Sequence, residues 1–221
     1  MPIKSLTPLR SMSKSREVFE RLRDAIWSGD LAPGTPLRES HLAKQLSVSQ
    51  VPVREALLQL ENLGLVVRVP DRGTTVTKLS RPEILQMMDV RRHLEEYAFH
   101  LAAARMDAEV EAELRAHLAE MKKLVSKKDH FGVAEQDFMF HQTVWKASGN
   151  EVLEKTLQRL CIAVYAFVSL KRHAANEAMQ SAVRKHTLLL EALLTHDEDH
   201  IRKQIQDHLT PEVALPDYIT D

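Results

Sequence analysis

The stretch Ser49-Gln50-Val51-Pro52-Val53-Arg54-Glu55-Ala56-Leu57 decides the reading of this chain. Ser49 is a good N-cap residue, and Pro52 falls in a first helical turn, where a missing N–H costs nothing. Val53, Leu57 and Leu60 recur at helical spacing and Gly64 ends the run, which predicts a helix with one apolar side. Just before it, Leu42, Ala43 and Leu46 mark a shorter helix, with Ser47-Val48-Ser49 as the turn. Further back, Val18, Leu22, Ala25 and Ile26 predict a first helix over 13–28, closed by Gly29. The turn-rich connector Leu31–Leu37 has room for one short extended piece. Behind the quoted stretch, the β-branched runs Leu65–Val69 and Thr74–Thr77 flank Pro70–Gly73. That is a hairpin pattern, with Gly73 free to take positive φ. Three helices and a hairpin make a winged helix-turn-helix over 13–79, preceded by a polar, flexible arm at 1–12.

In a helix-turn-helix, the N-terminal residues of the second helix enter the major groove. Here those are Ser49, Gln50, Val51, Pro52 and Arg54. Gln reads adenine through two hydrogen bonds, Arg reads guanine or clamps phosphate, and Val51 offers an apolar contact to a thymine methyl. At the wing tip, Arg72, Gly73 and Thr74 are candidates for the DNA backbone or the minor groove. Arg38 in the connector joins this set. The competing reading is a winged domain used for protein contacts, with Arg54 as a solvated charge.

Charge is unevenly spread. The chain has 221 residues and a net charge of −1, but residues 1–80 are net basic and 81–221 net acidic. Phosphate therefore attracts the first part and repels the second. No apolar run approaches the ~20 residues of a membrane helix. Met1–Arg16 has no apolar core, which argues against a signal peptide. The single Cys161 cannot form an internal disulfide, which fits a reducing cytoplasm.

From Ser80-Arg81-Pro82 onward the pattern is helical, with segments expected at 82–105, 108–127, 130–148, 151–173, 177–195 and 197–209. Gly149-Asn150 ends one helix and caps the next. This predicts an all-α six-helix bundle over 82–210, with a tail at 211–221 containing Pro211 and Pro216. The Ser80–Pro82 joint reads as a hinge, because a residue before proline is held extended. The fold class is mainly α.

Ten of the eleven histidines lie in this second part. Asp137 and His141 are i, i+4 on one helix and project from one face. His186 lies beside an apolar face, and His208 lies near the last turn of the last helix. Three imidazoles and a carboxylate from three helices suit Zn²⁺, Ni²⁺ or Mn²⁺. Spacing alone leaves the alternative open that these are hydrogen-bonded core histidines.

Several motifs carry a family resemblance. Gly29-Asp-Leu-x-Pro-Gly34-Thr-x-Leu37, Glu39, Leu42-Ala43, Leu46, Ser49-x-x-Pro-Val-Arg-Glu-Ala-Leu57, Leu60-Glu61, Gly64-Leu65 and Arg72-Gly73 resemble the GntR family of bacterial transcriptional regulators over 16–78. The family usually has Arg-Thr where this chain has Gln50-Val51, and often an Arg where it has Ser40. Arg91-x-x-Leu94-Glu95, Ala102-Ala103, Asp137-x-x-x-His141, Ser148-Gly-Asn150, His186 and His208 resemble the FCD effector domain of the FadR subgroup over 82–209. The resemblance implies a divalent metal, most often zinc, on Asp137, His141, His186 and His208. It also implies a small carboxylate effector bound against that metal. Arg91 matches a motif arginine that faces the effector cavity, with a packing salt bridge to Glu95 as the competing role. Six helices point to the shorter, VanR-like branch.

The expectation is a DNA-binding regulator, most simply a repressor, and not an enzyme. Such a protein binds a pseudo-palindromic operator as a homodimer, since one recognition helix reads too few base pairs for specificity. Two alternatives remain at this level: a metal sensor in which the ion is the signal, and a metal-dependent hydrolase. The second lacks a recognisable general base beside the ligands.

Overall fold

A computed structural model describes residues 14–69, 73–165 and 176–209. Among the described residues the chain runs α1 (Lys14–Trp27), β1 (Pro36–Leu37), α2 (Glu39–Gln45), α3 (Gln50–Asn62), β2 (Val66–Val69), β3 (Gly73–Val76), then six helices. These are α4 (Arg81–Ala103), α5 (Ala108–Lys127), α6 (His130–Ala147), α7 (Glu151–Val164), α8 (Asn176–Thr195) and α9 (Glu198–Leu209). This is the winged helix-turn-helix followed by a helical bundle that the periodicity predicts. The end of the expected 151–173 helix, the arm, the tail and Pro70–Arg72 lie outside the described residues.

In the first unit, Val18, Leu22 and Ile26 bury one stripe of α1 against α3, whose Val53, Ala56, Leu57 and Leu60 face back. The sheet order is β1-β3-β2, antiparallel throughout, with Leu37 opposite Thr74 and Thr74 opposite Arg68. Gly73 opens β3 at φ 83°, a left-handed conformation that disfavours a side chain. Ser49 holds the extended N-cap conformation, but its hydroxyl makes no capping bond.

The second unit begins with a capping box. Ser80 Oγ accepts from Glu83 N, and the Glu83 carboxylate accepts from Ser80 N at 2.8 Å. Arg81 is therefore already helical, and the extended residue is Ser80, not the one before Pro82. The cap overrides the local preference before proline. Gly149 at φ 67° ends α6, and Asn150 caps α7 by accepting from Leu153 N.

Helix α4 touches α6, α7, α8 and α9, so it forms the axis of the bundle. The two units are also joined by packing that spacing did not reveal. The Trp27 ring at the end of α1 meets Phe138 of α6 edge-on at 5.2 Å, and both are buried. Phe138 in turn touches Trp145 and Tyr165. One apolar cluster thus runs from the winged unit into α6 and α7.

Candidate metal centre and DNA-reading face

Three helices bring His141 (α6), His186 (α8) and His208 (α9) together, all buried, with one ring nitrogen of each within 4.8 Å of the others. His141 Nε2 and His208 Nε2 stand 3.0 Å apart. Asp137, one turn before His141, places Oδ1 3.4 Å from His186 Nε2 and 3.9 Å from His141 Nε2. Donors bound to one ion at about 2.1 Å are themselves roughly 3.0–3.4 Å apart. The four residues that spacing singled out therefore converge.

The outer sides of the rings determine what the inner sides present. His186 Nδ1 lies 2.8 Å from the Ala182 carbonyl, which can only accept, so that nitrogen carries the proton. His141 Nδ1 lies 3.0 Å from Glu95 Oε2 and donates to it. Both Nε2 atoms are left as lone pairs aimed inward, the tautomer that metal ligation needs. His186 Nε2 is buried without a hydrogen-bond partner. His141 Nε2 can accept from His208 Nε2, but the lone pair of His186 Nε2 has no donor, and an unpaired polar atom in a dry interior is costly unless a cation lies beside it. The donor set and this orphaned nitrogen fit a divalent ion.

The surrounding charges are held in place. Burial raises Glu95, but His141 and Arg91, with hydrogen bonds from His141 and Trp145, outweigh it and bring its carboxyl down to about 2. Arg91 Nε donates to Glu95 at 3.0 Å and its Nη2 to the Tyr165 hydroxyl at 3.0 Å. The Tyr165 hydroxyl donates to Asp137 Oδ1. Burial disfavours the Arg91 cation, yet the carboxylates of Glu95 and Asp137 keep it charged. Burial lowers His141 against the pull of Glu95, and lowers His208 further. Arg91 thus makes the salt bridge with Glu95, and its other arm reaches toward Asp137 through Tyr165. Glu95 was expected only as a partner of Arg91, not of His141, and Trp145 and Tyr165 were not expected here. The i, i+4 spacing of Arg91 and Glu95 was the one available signal.

On the first unit, Gln50, Val51 and Arg54 are exposed at the start of α3, and Pro52 is half-buried there. Val51 is 60% exposed, unusual for valine and fitting for a groove contact. Ser49, Arg38 and Gly73 are also exposed. Arg54 is bound to Glu39 of α2 at 2.8 and 3.0 Å. Thr74 corrects the expectation of a wing-tip residue: it sits mid-sheet between Leu37 and Arg68, and its side chain is buried instead of displayed at the tip. Arg72 lies outside the described residues.

Two family models match the chain. The bacterial regulatory protein model of the gntR family covers residues 14–76, and the FCD domain model covers 86–211. The chain belongs to the GntR family. It is 30% identical over 192 residues to the gluconate operon transcriptional repressor of Bacillus licheniformis, covering 85% of this chain and 78% of that protein. It is 29% identical over 184 residues to a probable D-xylose utilization operon transcriptional repressor of Paenarthrobacter nicotinovorans, covering 83% and 80%. The fold matches that of E. coli McbR/YncC at a TM-score of 0.79 and 24% identity, over 92% of this chain and 97% of that one. This GntR protein is therefore a DNA-binding transcription regulator and not an enzyme. No helix among its described residues is long and apolar enough to cross a membrane.

Proposed function

We propose that this GntR regulator is a repressor whose grip on DNA responds to a small organic acid bound at a metal in the helical unit. The observation that carries the reading is the inward-facing set of His141, His186 and His208 beside Asp137, with two outer nitrogens already committed. Those four residues would hold the ion, with zinc first and Ni²⁺ or Mn²⁺ as alternatives. The ion would supply positive charge and open positions for an anionic oxygen. Charge balance favours an anion as the effector. Arg91, Glu95 and Asp137 sum to one negative charge around neutral imidazoles; a divalent ion makes the sum positive by one, and one carboxylate restores neutrality. Arg91, bonded to Tyr165 beside Asp137, would add positive charge to hold that carboxylate.

The proposed division is a reading unit at 13–79 and an effector and dimerisation unit at 82–210, with an arm at 1–12 and a tail at 211–221. DNA is read by Ser49, Gln50, Val51, Pro52 and Arg54, with Arg38, Arg72 and Gly73 on the backbone, at a pseudo-palindromic operator bound by a homodimer. A cytoplasmic location follows from that task. The route between the sites is Trp27 against Phe138: Phe138 follows Asp137 in the chain, so a shift of one moves the other.

The test is metal analysis of the purified protein, then titration of sugar acids, hydroxy acids and dicarboxylates with and without chelator. Supporting results are near-stoichiometric metal, metal-dependent thermal stabilisation and weakened operator binding. Stabilisation without any change in operator affinity would remove the coupling. An operator response to the ion alone, unaffected by every acid, would favour the metal-sensor reading. A monomer at micromolar concentration by sedimentation would remove the dimer.

A further inference from the structure

A cleft of about 250 Å³ lies between the start of α2 and the wing, lined by Leu37, Arg38, Glu39, Arg68, Gly73 and Thr74. Arg68 ends a row across the sheet whose inner members, Thr74 and Leu37, are buried. Arg38 and Arg68 thus line one cleft from its two sides. Both arginines are exposed, and neither pairs with an acid among the described residues. Glu39 lines the same cleft, but its carboxylate is taken by Arg54 of the reading helix at 2.8 Å.

We propose that Arg38 and Arg68 form a seat for one DNA backbone phosphate, and that Glu39 keeps the neighbouring Arg54 a reader of base edges instead of another phosphate contact. The reasoning is electrostatic. A phosphate approaching Arg54 meets the Glu39 carboxylate a hydrogen bond away, and the pair has no net charge to offer it. A phosphate entering the cleft meets two cations. A guanine edge is neutral and still finds free donors on Arg54, since the ion pair uses only part of the fork. Glu39 is thus a positioning residue that acts through Arg54. The inference rests on α3 being the reading helix and is independent of the metal.

The experiment uses the full chain, a duplex selected by the wild-type protein from a random library, and a scrambled duplex of equal length. Affinity is measured across a salt series. Arg68→Ala and Arg38→Ala should each weaken both duplexes by the same factor and lower the salt slope by about 0.9 for a lost phosphate contact, with Arg68→Lys restoring most of it. Glu39→Gln keeps the shape of the side chain. It should bind the scrambled duplex several-fold tighter, steepen the salt slope by about 0.9, and cut discrimination between the duplexes roughly tenfold. Unchanged slopes in Arg38→Ala and Arg68→Ala overturn the seat, and so does a loss confined to the selected duplex. An unchanged slope and unchanged discrimination in Glu39→Gln overturn the role of Glu39. If α3 itself is misassigned, Arg54→Ala changes neither duplex, which separates that failure from failure of the seat.

Discussion

Arg54 and Arg91 each pair with a glutamate, at 2.8 and 3.0 Å, and there the likeness ends. The Arg54–Glu39 side chains are 55% and 25% exposed, whereas those of Arg91 and Glu95 are 5% and 0% exposed. In water the first pair is weak, screened and easily exchanged for a new partner. In the interior the second cannot open without leaving a bare charge. One chemistry thus serves two ends: an adjustable donor on the surface proposed to meet DNA, and a fixed frame around the buried histidines.

The sharpest way to break this comparison is to remove one carboxylate from each pair. Glu95→Ala strands Arg91 and frees the outer nitrogens of His141 and Trp145, so it should cost about 3–5 kcal/mol in denaturant unfolding. Glu39→Ala should leave the unfolding midpoint unchanged. Equal effects would mean that burial does not separate the two pairs.

Acid should act on the buried frame alone. His141 and His208 are held below the ordinary 6.5, so between the two values the unfolded chain binds more protons than the folded one. Their stabilisation is complete above about pH 6.5 and is lost as pH falls below it. Glu95 is depressed from 4.5 to about 2, so its contribution is complete above 4.5 and is lost on the way down to 2. A shift of that size corresponds to about 3 kcal/mol. The metal-free protein should therefore weaken in two stages on acidification. Glu95→Gln should abolish the lower stage and keep the upper. A single stage that survives this substitution would assign the acid sensitivity elsewhere.

Metal removal probes the same frame from inside. If the proposed ion binds, then at a concentration of about 100 Kd it would add about 2.7 kcal/mol to stability. A chelator should remove that increment from the wild type and from Arg54→Ala, but not from His186→Ala or His208→Ala. Wild-type metal content in both histidine variants would discard the site.

How far the sequence could be read follows the same division. Asp137 and His141 share a face because a helix repeats every 3.6 residues, and the turn of the winged unit is written in Gly, Pro and Ser. Periodicity gives the face of a residue but not the neighbour across it. Glu95 under His141, Tyr165 between Arg91 and Asp137, and Trp27 against Phe138 all join residues distant in the chain. Thr74 was misread for the converse reason. It follows Gly73 at the turn, but pairing with β1 and β2 on either side makes it an interior residue of the sheet.

The smallest predicted effect concerns the helix ends. In the bundle, Asp107, Asp129 and Asn150 each accept a backbone N–H at their own N-cap. At the reading helix, Ser49 has the capping backbone conformation, yet its hydroxyl makes no such bond. A used cap contributes about 1 kcal/mol, and an unused one little beyond backbone preference. Asn150→Ala should therefore lower stability by about 1 kcal/mol, whereas Ser49→Ala should change it by no more than a few tenths. If α3 reads DNA as proposed, the free hydroxyl would instead be available to a phosphate or base at the mouth of the groove. Ser49→Ala should then weaken DNA binding while leaving the unfolding midpoint in place. Equal stability losses in the two variants would show that Ser49 caps α3 in solution, and that its hydroxyl is not held in reserve for DNA.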